Sequence, residues 1–245
     1  MSESNSEQAK KGRAPEPATV DEPSDPGIYL YWLPLGAGGS FVRFNGRVFE
    51  LIQAGIDRRN PSDLYHTALV VIIPDGRFVI ENSWPIPDAA GPARGVVVEG
   101  PVFSRSLGRF KVFRYEVRRW RNGVIADQDE AVNSPQCVSR DPQKALKILQ
   151  LVESVPALVW GRDEQSTGDM WNSNSVISYL LARSGVVIES VSTPANGRAP
   201  GWQAGVVMAS RYGDRLSGKV FDHSPSLSVR RTPPELRSSS MRFWP

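Results

Sequence analysis

Residues 66–85, HTALVVIIPDGRFVIENSWP, contain the pattern that decides the fold of this chain. Two runs rich in valine, isoleucine and phenylalanine flank the PDG tripeptide at 74–76, and Asp-Gly favours a tight turn between antiparallel strands. A turn centred on this dipeptide pairs Ile73 with Phe78. The stretch therefore predicts a β-hairpin that begins an antiparallel sheet.

Alternation along the hairpin places several polar residues on one face. Glu81, Ser83 and Pro85 share the face of His66, and His66 lies near Pro85. In this register Glu81 is about four residues from the position opposite His66, so contact between them requires a bulge or a longer loop. A strand histidine and an edge acid are also ordinary structural residues. We favour a functional role because both flank a strongly apolar ribbon.

Further strands are predicted on both sides of the hairpin. The run IYLYWLPLGAGG (28–39) indicates a strand that ends in a glycine-rich turn. Two more follow the hairpin, GVVVEGPVF (95–103) and GRFKVFRYEVRRW (108–120). In the second, alternating arginine and glutamate predict a solvated face. Residues 186–191 are interpreted as another strand, and residues 203–210 as a last strand or a buried segment.

Helical spacing is clearest in two regions. Asp141-Pro142 places a capping residue and a first-turn proline before a helix, and Gly185 ends a second helix that carries apolar residues at helical spacing. Asp169 or Thr167 is the predicted N-cap of that second helix, and a short helix is predicted near 47–54. The whole pattern indicates an α+β fold, with an antiparallel sheet of about five to six strands packed against a few helices.

The second helix begins within WGRDEQSTGDMWNSNSVISYLLARSG (160–185). This pattern places Ser173 in the first turn, where unpaired N–H groups and the helix dipole would activate a nucleophile. Asparagine and serine are also common capping residues, so the NSNS motif has a purely structural explanation. The tryptophans and charges beside it favour a pocket.

Composition divides the chain into one domain with two tails. The chain has 245 residues, of which 40% are hydrophobic, which is enough for one substantial core. Residues 1–27 and 224–245 are poor in large apolar side chains and are predicted to be a disordered N-terminal tail and a flexible C-terminal tail. The α+β domain is expected to span 28–223.

Charge and residue counts exclude several classes of site. The net charge is +3, and the N-terminal tail holds six acids against three bases, so the rest of the chain is at about +6, which is too diffuse to indicate a nucleic-acid partner. One cysteine excludes an intramolecular disulfide, and two histidines without ligand spacing give no metal or cofactor motif. The chain shows no apolar signal segment or membrane span, so we predict a cytoplasmic protein.

The order of these residues resembles the circularly permuted papain-like group, which includes permuted NlpC/P60 proteins and lecithin:retinol acyltransferase-like enzymes. In that group a histidine begins a strand, a polar residue follows on the next strand, and Asn-Cys later precedes an apolar helix. His66, Glu81 in VIENSWP and Asn172-Ser173 in WNSNSVISYLL match these positions. The chain departs from the group at Ser173, which stands where the cysteine is expected.

The resemblance implies a permuted papain-like order and one of two functions. The first is a Ser-His-Glu acyl hydrolase or acyltransferase in which Ser173 attacks a carbonyl, His66 accepts its proton, and Glu81 or Ser83 orients the imidazole. Its substrate would be a small-molecule, lipid or peptide acyl compound. The proposed substrate-binding residues are Asn172, Asn174, Arg162, Trp171, Arg198 and Trp202. The second function is a non-catalytic binding or scaffold protein that has lost the cysteine and engages a protein partner through its tails.

Overall fold

The computed structural model describes residues 22–35, 62–83, 95–125 and 127–220. Within these ranges it has an antiparallel sheet and three α-helices, so the predicted α+β class is confirmed. The strands are β1 (Gly27–Pro34), β2 (Asp63–Ile73), β3 (Gly76–Ser83), β4 (Val96–Pro101), β5 (Arg114–Arg121), β6 (Gln136–Ser139) and β7 (Gly197–Arg198). The helices are α1 (Pro142–Leu151), α2 (Ser173–Ser184) and α3 (Trp202–Val220).

The predicted hairpin forms the centre of the sheet, but its register differs from the prediction. Ile73 pairs with Gly76, and Leu69 pairs with Ile80. The turn is therefore centred on Pro74-Asp75, one residue earlier than predicted, and the partner of each β2 residue shifts by two, because Gly76, at φ 140°, ends the connection and starts β3. This shift brings Glu81 closer to His66 along the ribbon, since continuing the pairing sets Ala68 opposite Glu81.

The strands occur in the order β4-β5-β3-β2-β1-β6. Every neighbouring pair in this order is antiparallel. The two residues of β7 pair in parallel with the first residues of β2. The hairpin strands β2 and β3 are thus central, and β1 and β5 cover their outer edges.

The two faces of the sheet are covered by different elements. The helix face carries Ile28, Leu30, Trp32, Leu69 and Val71, which pack in one core with residues of α1, α2 and α3. The opposite face, here called the loop face, carries Tyr29, Tyr31, Leu33, Ala68, Val70 and Val79, which pack with Ile125 from the connection after β5. Period-two alternation explains this division, because successive side chains of a strand point to opposite faces.

The ends of two helices follow their capping residues. The Asp141 carboxylate accepts the backbone N–H of Gln143 at 2.8 Å and caps α1, with Pro142 as its first residue, which confirms the predicted start. Helix α2 ends at Gly185 in the left-handed conformation, also as predicted. Its N-cap is Asn172, so the prediction of Asp169 or Thr167 is wrong.

Other local predictions are wrong for tertiary reasons. The segment predicted as a strand at 186–191 contains a one-turn 3₁₀ helix, Ile188–Ser190. The segment at 203–210, predicted as a last strand or a buried segment, is not a strand but the start of helix α3; it is buried at Ala204, Met208 and Ala209, and its Gly205 packs closely on α2. The predicted solvated face of β5 is buried at Glu116 and Arg118, which form an ion pair with each other, and Arg118 lies beside Ile125 and Asp127 of the connection after β5.

Several predictions lie outside the described residues. These are the short helix near 47–54, most of the N-terminal tail and the whole C-terminal tail. Within the described ranges, none of the helices has the length and apolar character needed to span a bilayer.

Candidate functional site

His66 lies on the loop face of the sheet. It pairs with Leu33 of β1, while its neighbour Thr67 pairs with Trp32. Paired residues on adjacent antiparallel strands share a face. Because Trp32 packs against Trp202 of α3 at 5.4 Å between ring centroids, Thr67 belongs to the helix face and His66 to the opposite one.

Glu81 lies on the same face and joins a buried ion cluster. It pairs with Arg118 of β5, and its carboxylate lies 3.4 Å from the Arg118 guanidinium. Arg118 is only 1% exposed and donates to the Glu116 carboxylate at 2.6 Å and 2.9 Å. The sheet therefore brings His66 and Glu81 to one face, as their alternation predicted, and adds an arginine that the prediction did not include.

These side chains surround a cavity of about 210 Å³. One wall is apolar and includes Leu33, Ala68, Trp120, Val124 and Ile125. The polar residues of the lining are His66, Glu81, Ser83, Arg118 and Asp127, together with Thr67 and Asn82, whose side chains belong to the helix face. A mainly apolar wall with a few convergent polar groups is the usual composition of a small-molecule site.

Burial changes the protonation of the cavity groups. It lowers the pKa of His66 to about 4, so the imidazole is neutral at pH 7. Burial also raises the pKa of Glu81, an effect that the Arg118 guanidinium opposes. The pKa of Asp127 is raised by burial and then by the neighbouring Glu130 carboxylate. A positive charge added to the cavity would therefore stabilise the ionised forms of the Glu81 and Asp127 carboxylates.

The first turn of α2 is occupied by a capping box. The Asn172 side-chain oxygen accepts the backbone N–H groups of Asn174 and Ser175, and the Ser175 hydroxyl accepts the N–H of Asn172. Gly201 lies so close that a Cβ there would be 2.2 Å from the Asn172 oxygen. Two of the first-turn N–H groups that were expected to be unpaired beside Ser173 are therefore already hydrogen-bonded to the cap.

Asn174 joins the helix to the sheet and to the loop before α3. Its side-chain nitrogen donates to the carbonyls of Tyr65 and Pro200, at 2.9 Å and 2.8 Å. Its side-chain oxygen accepts the Thr67 hydroxyl at 3.0 Å. All polar atoms of this side chain are used, so Asn174 has a structural role at the centre of the helix face.

The structure places Ser173 and His66 on opposite faces of the sheet. Ser173 is the first residue of α2, is 6% exposed, and belongs to the turn that contacts Thr67 on the helix face. His66, one residue before Thr67, points to the loop face with Glu81. The predicted Ser173-His66-Glu81 triad is therefore not assembled, because the sheet itself separates the serine from the imidazole.

The other predicted substrate-binding residues also lie apart from the cavity. Trp171 is buried and donates its indole N–H to the Tyr115 hydroxyl at 3.2 Å. Trp202 packs on Trp32, and Arg162 is exposed. Arg198 lines a wider groove of about 720 Å³, together with Asp163, Asp169, Met170 and Gln203. The predicted residues thus divide among the core, the capping box, this groove and, for Arg162, the exposed surface.

Sequence reasoning missed three cavity residues, Arg118, Trp120 and Asp127. Arg118 and Trp120 alternate on β5, and this alternation was visible. What the sequence did not show is that β5 pairs with β3, which places both residues beside Glu81. Asp127 reaches the cavity from the connection after β5, for which local sequence gives no signal.

Within the described ranges, no group of three or more His, Cys, Asp or Glu residues is arranged to hold a metal ion. No family model, curated protein or solved structure matches the chain.

Proposed function

We propose that this chain is a non-catalytic binding protein of the cytoplasm whose ligand occupies the cavity between His66, Glu81 and Asp127. One observation carries the proposal: Thr67 bonds to Asn174 on the helix face, so the adjacent His66 faces away from Ser173. Without a base within hydrogen-bond reach, a serine hydroxyl is a weak nucleophile. The second candidate, an acyl hydrolase, would need Ser173 and His66 on one face.

The charges around the cavity favour a cationic ligand. Arg118 is engaged by Glu116 and Glu81 and is the one cation among the described residues of the lining. The lining also contains the carboxylates of Glu81 and Asp127, and the Glu116 carboxylate is bound to Arg118. These three acidic groups outnumber the single arginine, so the charge around the cavity is negative. An amine or guanidinium group placed between Glu81 and Asp127 would offset their repulsion.

Size and shape restrict the ligand further. A cavity of about 210 Å³ has the volume of roughly seven liquid waters, which suits a molecule of modest size. The Trp120 ring and the aliphatic wall of Leu33 and Ile125 favour a short apolar body beside the charged group. We therefore propose a small organic cation as the ligand class.

Calorimetric titration with agmatine, which carries a guanidinium and an amine on a short chain, tests the ligand class. We expect agmatine to bind the wild-type protein, and glutarate, an anion of similar length, to give no binding. Glu81→Gln and Asp127→Asn should each weaken agmatine binding about tenfold or more, since each removes a charge from a partly buried pair. Asp129→Asn is the matched control because Asp129 is an exposed residue of the same connection. Equal binding of glutarate, or an equal loss in Asp129→Asn, contradicts the proposed ligand.

A second experiment tests the loss of catalysis independently. In Ser173→Cys, the pH midpoint of iodoacetamide alkylation reports the thiol pKa, which helix position and burial will set. We expect His66→Ala to leave that midpoint unchanged, because the sheet separates the two side chains. A midpoint that rises when His66 is removed would restore the hydrolase, as would stoichiometric labelling of wild-type Ser173 by a serine-reactive phosphonate that His66→Ala abolishes.

A further inference from the structure

The connection between β4 and β5 exposes three large apolar side chains. Phe103 is 60% exposed, Phe110 is 50% exposed and Val112 is 72% exposed. All three lie within ten residues of one another, in FSRSLGRFKVFR (103–114), here called the apolar loop. Single exposed apolar residues are common on proteins, but three large ones within one short loop favour an interaction surface.

Local structure holds these side chains outward. Two one-turn 3₁₀ helices, Leu107–Arg109 and Lys111–Phe113, place Phe110 between them, and its N–H donates to the Leu107 carbonyl at 2.9 Å. The Arg114 side chain donates to the Gly108 carbonyl at 2.6 Å and ties the loop to β5. The exposed positions of these apolar side chains are therefore fixed by the hydrogen bonds of the loop.

Phe103 shows backbone strain at the start of the loop. Its φ is 63°, in the left-handed region that bulky residues rarely adopt. Its ring meets Phe113 edge to face, with 6.4 Å between centroids, yet most of its surface stays exposed. Strain retained at an exposed aromatic residue is typical of functional positions.

The loop is also basic. Between residues 101 and 115 the chain contains three arginines and one lysine and has no acid. Arg105 is bound by Glu164 and Arg114 by Glu99, both at 2.8 Å. Arg109 and Lys111 are exposed beside the apolar tips, and the Arg109 guanidinium lies 5.0 Å from the centre of the Phe110 ring. The surface thus combines apolar tips with two flanking cations.

We propose that the apolar loop docks on an anionic lipid bilayer, inserting Phe103, Phe110 and Val112 at the interface while Arg109 and Lys111 bind lipid headgroups. Aromatic and aliphatic tips flanked by basic residues match the layered chemistry of a membrane surface. A nucleic acid fits less well, because it requires a longer track of cations. Here the two outer arginines are bound by Glu164 and Glu99, and the Glu99 side chain is 43% exposed.

Sedimentation of the full chain with vesicles tests the proposal. We expect binding to vesicles of phosphatidylcholine and phosphatidylserine in about a 2:1 ratio, weaker binding to phosphatidylcholine alone, and a decrease as salt rises. Phe110→Ser with Val112→Ser should reduce binding about tenfold or more at any salt concentration. Arg109→Gln with Lys111→Gln should reduce it about fivefold per charge and remove the preference for phosphatidylserine.

Matched controls separate insertion from loss of folding. Val187→Ser removes an apolar residue that is 60% exposed in another part of the molecule, and it should bind vesicles like the wild type. All variants should keep the wild-type melting temperature, since the substituted residues are exposed. Failure of the wild type to bind the anionic vesicles, or an equal loss in Val187→Ser, overturns the proposal.

A fluorescence experiment reports insertion directly. Cys137 is the one cysteine of the chain and is exposed, so a Cys137→Ser background allows a single label elsewhere. An environment-sensitive fluorophore on Val112→Cys should shift to shorter wavelength with anionic vesicles, whereas the same label on Val187→Cys should not. Vesicle binding without a shift at position 112 also overturns the proposal. So does a single-stranded oligonucleotide that binds through Arg109 and Lys111 when vesicles do not.

Discussion

The two faces of the same central strands use polar residues in different ways. On the helix face, the Thr67 hydroxyl donates to the Asn174 side-chain oxygen, and the Asn172 and Asn174 side-chain nitrogens donate to backbone carbonyls. On the loop face, Glu81 and Asp127 line an open cavity. The most conspicuous polar motif in the sequence, NSNS, therefore caps and anchors a helix, whereas residues from β1, β2, β3, β5 and the connection after β5 line the cavity.

The largest effect should come from breaking the loop-face ion cluster. Arg118→Met leaves the Glu116 and Glu81 carboxylates buried without their cation, so we expect the free energy of unfolding to fall by about 3–5 kcal/mol. Urea denaturation measures this change. The double variant Arg118→Met, Glu116→Leu should recover much of the loss, because it removes the carboxylate most closely bound to Arg118 as well. A loss below about 1 kcal/mol in the single variant would show that solvent screens the cluster.

A smaller effect is expected on the helix face. Asn174→Ala removes the bonds to Thr67 and to the Tyr65 and Pro200 carbonyls, and we expect a cost of about 2–3 kcal/mol in the same denaturation experiment. Asn172→Ala, which removes the cap, should cost about 1 kcal/mol. If Asn174→Ala is instead neutral for stability but reduces ligand binding, the NSNS motif belongs to a binding site and the contrast between the faces fails.

An effect smaller than that of Asn174→Ala concerns the pH dependence of stability through His66. The folded-state pKa is about 4, below the ordinary value of 6.5, so the unfolded chain binds more protons between these values. The free energy of unfolding should therefore fall as pH decreases from about 6.5 to about 4. Because the ring is partly exposed, we expect a loss of roughly 1–2 kcal/mol rather than the full 3 kcal/mol of the shift.

His66→Gln provides the comparison for this measurement. The raised pKa values of Glu81 and Asp127 act in the opposite direction, since they favour proton uptake by the folded state. Glu81 and Asp127 are present in both the wild type and His66→Gln. The difference between the two pH profiles therefore gives the contribution of His66 to the free energy of unfolding. Parallel profiles for wild type and His66→Gln would mean that His66 titrates normally and faces bulk solvent.

Local sequence determined the elements whose physical causes are local. The Asp-Gly turn and the apolar runs around it predicted β2 and β3, and the Asp141-Pro142 and Gly185 signals predicted a start of α1 and an end of α2. Alternation also predicted that His66 and Glu81 share a face. These inferences hold because turn geometry, capping and the period of two depend on residues close together in the chain.

Tertiary structure alone decided which residues meet across the chain. Thr67 and Asn174 are 107 residues apart, and their bond determines that α2 covers the face opposite His66. Alternation relates residues within a strand but does not say which face a distant helix will cover. The burial of Arg118 likewise depends on the pairing of β5 with β3, which is set by the competition among all strands for partners. The sequence therefore predicted which residues share a strand face, and only the fold separated those that line a cavity from those that hold a helix in place.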